Sequence, residues 1–148
     1  MSNIFITGVS SGLGRELTKQ YVADGHKVWG VARRRPELQV LSEELGKNSF
    51  FYSICDVSIQ DEVENTKSEM DNNNFKPDIV ILNAGINPEA NNNSFSLDEI
   101  EEVIQTNYLG ALRWIKIFIP FFLERKKGQF AAISSLNAYR GDSRWIGY

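Results

Sequence analysis

The stretch Thr7-Gly8-Val9-Ser10-Ser11-Gly12-Leu13-Gly14 constrains this chain more than any other. It follows the short apolar run Ile4-Phe5-Ile6 and opens a segment in which Leu13, Leu17 and Tyr21 recur at i, i+4 and i+8 before Gly25. The run is too short for a helix, whereas the recurrence is that of one helix face, so the glycines fall at a strand-to-helix turn. In that position Gly8 takes the tight turn out of the strand, Gly12 lets backbone approach a pyrophosphate, and Gly14 lets the helix pack closely on the sheet. The N–H groups of Ser10, Ser11 and Leu13 join them, and the favourable end of the helix dipole faces the anion.

The rest of the chain repeats this alternation. Val28 to Ala32, Phe50 to Ile54, Ile79 to Leu82 and Phe130 to Ile133 are short apolar runs mostly without polar alternation, as expected of strands buried on both faces. Between them, Pro36 starts and Gly46 stops a helix carrying Leu38, Leu41 and Leu45. Ser58-x-x-Asp61 and Ser96-x-x-Glu99 read as capping boxes of two more, and Tyr108 to Lys126 as a long apolar helix with Pro120 as a kink point. Strands alternating with such helices predict βαβ units and right-handed crossovers. The expected fold is a single α/β domain over residues 1–148, a Rossmann-like doubly wound parallel sheet of about five strands in the order 3-2-1-4-5, binding its ligand beyond the carboxyl ends of the strands.

Composition closes off several other functions. Sixteen basic against nineteen acidic residues argue against a nucleic-acid partner. With one cysteine, Cys55, and one histidine, His26, neither a disulfide framework nor a Cys/His metal cluster is available, and no metal is expected. His26 sits in the polar turn Asp24-Gly25-His26-Lys27, a poor place for the base of a hydrolase. Cys55 ends an apolar run without a basic partner and reads as a core residue. The N-terminus lacks signal-peptide character, and the most apolar stretch, Leu109 to Leu123, is interrupted by Arg113 and Lys116, so a cytoplasmic protein without membrane contact is expected.

The spacing Gly-x-x-x-Gly-x-Gly resembles the short-chain dehydrogenase/reductase family, and further landmarks follow in family order. Cys55-Asp56-Val57-Ser58 follows the third strand, where members place an Asp against the adenine. Leu82-Asn83-Ala84-Gly85 follows the fourth and resembles the family's Asn-Asn-Ala-Gly with Leu for one Asn. Asn107-Tyr108-Leu109-Gly110 matches Asn-x-x-Gly, and Ile133-Ser134-Ser135 closes the fifth strand, thirteen residues before Tyr148. The resemblance implies hydride transfer between a nicotinamide and a small-molecule carbonyl or alcohol. It assigns Tyr148 as general acid/base, Ser135 as the hydroxyl that orients the carbonyl oxygen, and Asn107 as the holder of a relay water. It also implies, for a complete chain, a homo-oligomer through the long helix carrying Trp114, Phe118, Phe121 and Phe122, with core packing against the sheet as the reading for at least half of these side chains.

Family members carry Tyr-x-x-x-Lys, and this sequence stops at Tyr148. The expectation is a domain incomplete at its C-terminus, lacking its catalytic lysine and substrate-binding segment, that retains cofactor binding better than catalysis and is itself inactive. A catalytically inactive nucleotide-binding or interaction module with the same fold is the alternative, and a methyltransferase is a third reading that the Ser135 to Tyr148 spacing disfavours. The end of the second strand, Ala32-Arg33-Arg34, selects the cofactor. An acid there would bond the adenosine ribose and repel a 2′-phosphate, whereas arginine accommodates it, so NADP(H) is expected over NAD(H).

Overall fold

Strand β1 (Asn3–Thr7) is buried along almost its whole length, and parallel strands β2 (Lys27–Ala32) and β4 (Ile79–Leu82) pair with it on either side. The computed structural model describes residues 1–87 and 96–139. Strands β3 (Phe50–Ile54) and β5 (Gln129–Ala132) flank this centre, giving one parallel sheet in the order β3-β2-β1-β4-β5, the order the sequence predicts. The outer two are less enclosed than expected, because each pairs on one side only among the described residues.

Alternate residues of each strand feed two cores. Ile4, Ile6, Val28 and Ile81 pack under helices α1 (Gly12–Ala23) and α2 (Arg35–Leu45) with Leu38 and Leu41. On the other face Phe5, Trp29, Val31, Val80 and Leu82 meet Val63 and Met70 of α3 (Gln60–Asn72) and Trp114, Phe118 and Phe122 of α5 (Gly110–Arg125). Phe5 lies 4.3 Å from Trp114 and 5.2 Å from Phe118 between ring centroids, so the central strand and the long helix share two aromatic contacts. Three of the four aromatic residues offered above for a contact between copies therefore belong to the core, Phe121 being partly buried against it. The exposed apolar stripe on that side is instead Ile104, Tyr108, Leu112, Ile119 and Leu123.

Two helix expectations are corrected. Helix α3 begins after Ile59, because the Ser58 hydroxyl turns back to donate to Asp56 Oδ1 at 2.7 Å instead of capping the helix. Ser96 does cap α4 (Leu97–Val103), accepting from Glu99 N, but that helix does not end before the next begins. A π-helical turn, Ile104–Leu109, joins α4 directly to α5, which runs through Pro120. Cys55 is a core residue, and His26 accepts from Ser2 N at its Nδ1 and stands edge-on to Tyr21. Among the described residues no helix is long and apolar enough to cross a membrane, and no cluster of potential metal ligands occurs.

At the amino ends of the strands Asp78 ties three chain segments together. Its Oδ2 accepts from Asn3 N at 3.0 Å and its Oδ1 from Arg125 Nη2 at 2.8 Å, and its main-chain carbonyl accepts from Gln129 N. Burial alone would push the Asp78 carboxyl up, but the bonds from Asn3 and Arg125 outweigh it and hold the group below its ordinary value. A carboxyl depressed in the folded chain contributes stability that is present above its unfolded pKa of about 3.9 and is lost as pH falls through the folded value. Asp78→Ala is expected to lower stability at pH 7 by about 1 kcal/mol after solvent screening and to flatten the acid limb below about pH 4. Denaturant unfolding across pH measures both, and an acid limb identical to that of the unsubstituted chain would contradict the assignment.

Candidate functional site

The strand order reverses between β1 and β4, and a cleft of about 770 Å³ opens there at the carboxyl ends of the strands. Thr7 builds its floor. The buried Thr7 Oγ1 accepts from Asn83 N and Ala84 N, both at 2.9 Å, while Asn83 Nδ2 donates to the carbonyls of Thr7 at 2.9 Å and Gly8 at 3.2 Å. The end of β1 and the segment leaving β4 are thus locked together by four bonds. Thr7 received no role in the sequence reading, although a hydroxyl at the last strand position before a glycine turn was the available signal.

The glycines fill three different needs. Gly8 has φ +77°, and a Cβ there would stand 2.8 Å from Ala84 Cα. A Cβ on Gly14 would collide with the Gly8 carbonyl and Asn83 Nδ2, so α1 lies directly on the turn. Gly12 has φ +56° with open space around it, which leaves its backbone approachable. The Ser11 hydroxyl does not cap α1 and instead accepts from Arg34 Nη2 at 2.6 Å. The first turns of α2, α3 and α4 carry acidic residues and that of α1 carries none, so its N–H groups face the cleft without a competing carboxylate.

The wall beyond β2 is cationic and differently employed at its two arginines. Arg33 Nη1 lies 3.5 Å from Asp56 Oδ2, whereas Arg34 also donates to Ser10 Oγ at 2.8 Å. Burial pushes the Asp56 carboxyl up, but bonds from Ser58 Oγ and N, aided by Arg33, bring it below its ordinary value, so it is an anion at neutral pH. The Asp56 N–H is taken by Glu62, a partner the sequence reading missed. Burial pushes the neighbouring Cys55 thiol up to about 12, leaving it protonated and inert.

Gly8, Ser10, Ser11, Leu13, Arg33, Arg34, Asp56, Val57, Asn83, Ala84, Gly85, Asn107 and Ser135 all line this one cleft, with Gly12 and Gly14 in the turn beneath it. Asn107 Oδ1 accepts from Ile86 N at 2.8 Å and its Nδ2 donates to Ile86 O at 2.9 Å, holding the chain that leaves β4. Ser135 Oγ accepts from Asn137 N, which leaves its O–H to donate. Trp114 also lines the cleft, and its buried indole N–H has no partner among the described residues. Tyr148 lies outside the described residues.

The chain matches the short chain dehydrogenase family model over residues 2–148. It is 34% identical over 134 residues to an NADPH-dependent pterin aldehyde reductase of Arabidopsis thaliana, covering 89% of this chain and 55% of that protein. With an NADP-dependent 3-hydroxy acid dehydrogenase of Shigella flexneri it shares 29% identity, covering 89% and 53%. The closed form of a serine dehydrogenase complexed with NADP+ superposes with a TM-score of 0.88 at 27% identity, over 98% of this chain and 59% of that one. The chain spans about half the length of the curated relatives it matches.

The glycine geometry sets the expected ranking of substitutions in the turn. Gly12→Ala is expected to cost about 1 kcal/mol, the strain of a left-handed backbone alone, and Gly14→Ala about 3 kcal/mol, because a backbone carbonyl must move. Equal costs in denaturant unfolding would contradict the close approach of α1 to the turn.

Proposed function

Because the chain belongs to the short-chain dehydrogenase family, we propose that its cleft holds NADP(H) and serves hydride transfer between a carbonyl and an alcohol. The observation that carries this reading is the glycine turn at the uncapped, acid-free start of α1, facing the Arg33 and Arg34 wall across one cleft. When bound, the cofactor supplies or accepts the hydride. The two relatives described above whose names specify NADPH or NADP support the choice of phosphate form.

The chain's own residues then divide the work. The N–H groups of the turn at Ser10, Ser11, Gly12 and Leu13 hold the pyrophosphate. Arg33 receives the 2′-phosphate while keeping Asp56 at the adenine side, and Arg34, which already donates to Ser10 and Ser11, shares that charge. Val57, Asn83, Ala84 and Gly85 line the two walls. Ser135 donates its free O–H to the carbonyl oxygen, and Tyr148 gives or takes the proton at that same oxygen. Asn107 keeps one amide hydrogen for a relay water while its other bonds fasten Ile86.

A charge-assisted bond to the 2′-phosphate is worth roughly 1.5–3 kcal/mol, about ten- to a hundredfold in affinity. Calorimetric titration should therefore show NADPH bound in preference to NADH, and Ala32→Asp with Arg33→Ala should reverse that preference. Absence of binding by the unsubstituted chain would contradict the cofactor reading, and an unchanged preference in the variant would contradict the role of Arg33.

A further inference from the structure

We propose that Arg113 is a positioning residue for the adenine end of the cofactor, clipping the wall at Val57 to the π-helical turn that carries Asn107. The proposal rests on the reading of the cleft as the NADP(H) site. A π-helical turn closes its bonds five residues apart, so one extra residue is accommodated and the carbonyls of that turn leave the regular ladder. Arg113 reaches one of them, the Gln105 carbonyl, which also accepts from Gly110 N. Its Nη1 donates to Gln105 O at 3.2 Å and to Val57 O at 3.5 Å, and its Nη2 to Gln105 Oε1 at 3.0 Å.

The same contact is reinforced by packing. A Cβ on Gly110 would lie 2.8 Å from Val57 Cγ2 and 3.2 Å from Val57 O, so the helix backbone rests on this residue. The π-helical turn and the first turn of α5 thereby fasten both walls of the cleft: Asn107 grips Ile86 beyond β4, and Arg113 with Gly110 grips Val57 beyond β3. Val57 is buried, and Arg113 supplies the one side-chain hydrogen bond to its carbonyl among the described residues. The planar fork of arginine suits a site with three acceptors, which a lysine ammonium, a single point donor, meets only in part.

Arg113→Met and Arg113→Lys test this with two probes, 2′,5′-ADP for the adenine side and inorganic pyrophosphate for the glycine turn. The proposal expects Arg113→Met to weaken 2′,5′-ADP roughly tenfold, about one hydrogen bond's worth. Pyrophosphate binding should be unchanged, with Arg113→Lys intermediate for 2′,5′-ADP. Unchanged affinity for 2′,5′-ADP overturns it, as does an equal loss for both probes with a lowered midpoint, the mark of a merely structural role. Amide hydrogen exchange in the ligand-free chain separates failure of the clip from failure of the cofactor reading. Faster exchange in Arg113→Met confined to residues 57–59 and 104–107 supports the clip, and an unchanged pattern overturns it. An unsubstituted chain that binds neither probe overturns the cofactor reading and the proposed purpose of the clip with it.

Discussion

The bonds between Thr7 and Asn83 set the distance between the ends of β1 and β4, and most of the cleft follows from that distance. Thr7 Oγ1 uses both acceptor positions on the backbone beyond β4, and the Asn83 amide returns the contact to Thr7 O and Gly8 O. With the two strand ends held this way, the turn between them has no room for side chains at Gly8 or Gly14. The helix that follows is drawn onto the turn, and its N–H groups are presented at the point where the sheet reverses direction. Larger residues at these positions would separate the helix from the sheet before they blocked a ligand.

Charge is arranged around this frame with each cation already engaged. Arg34 is held by two serine hydroxyls of the glycine turn and, at 3.7 Å, by Glu37 of α2, and Arg33 by the Asp56 carboxylate, which stays ionised at neutral pH. The difference gives the two arginines separate roles although they are adjacent in sequence. A half-exposed ion pair such as Arg33 with Asp56 contributes little to stability, and its value lies in where it keeps the guanidinium.

The strands and the glycine turn were legible because period, length and backbone freedom are local properties of sequence, and the strand order followed from the doubly wound architecture that the alternation of strands and helices implies. The π-helical turn was not. Inserting one residue rotates the apolar face by about 100°, so the periodicity that marks a helix breaks at Ile104–Leu109, and one continuous element reads as two. Ser58 misled for a related reason: a capping pattern names a donor and an acceptor but not the nearer carboxylate of Asp56, which captured the hydroxyl. The partners of Thr7 and Arg113 lie 76 and 56 residues away, and no spacing rule reports them.

The central claim is that this preformed cleft is where the chain meets a phosphorylated adenine dinucleotide. Amide chemical-shift mapping during titration with NADPH tests it most directly. The account predicts shifts concentrated at residues 8–14, 32–34, 56–57 and 83–85, while the strand starts at Asn3, Lys27 and Ile79 stay in place. Shifts absent from the glycine turn, or concentrated at the amino ends of the strands, would contradict it.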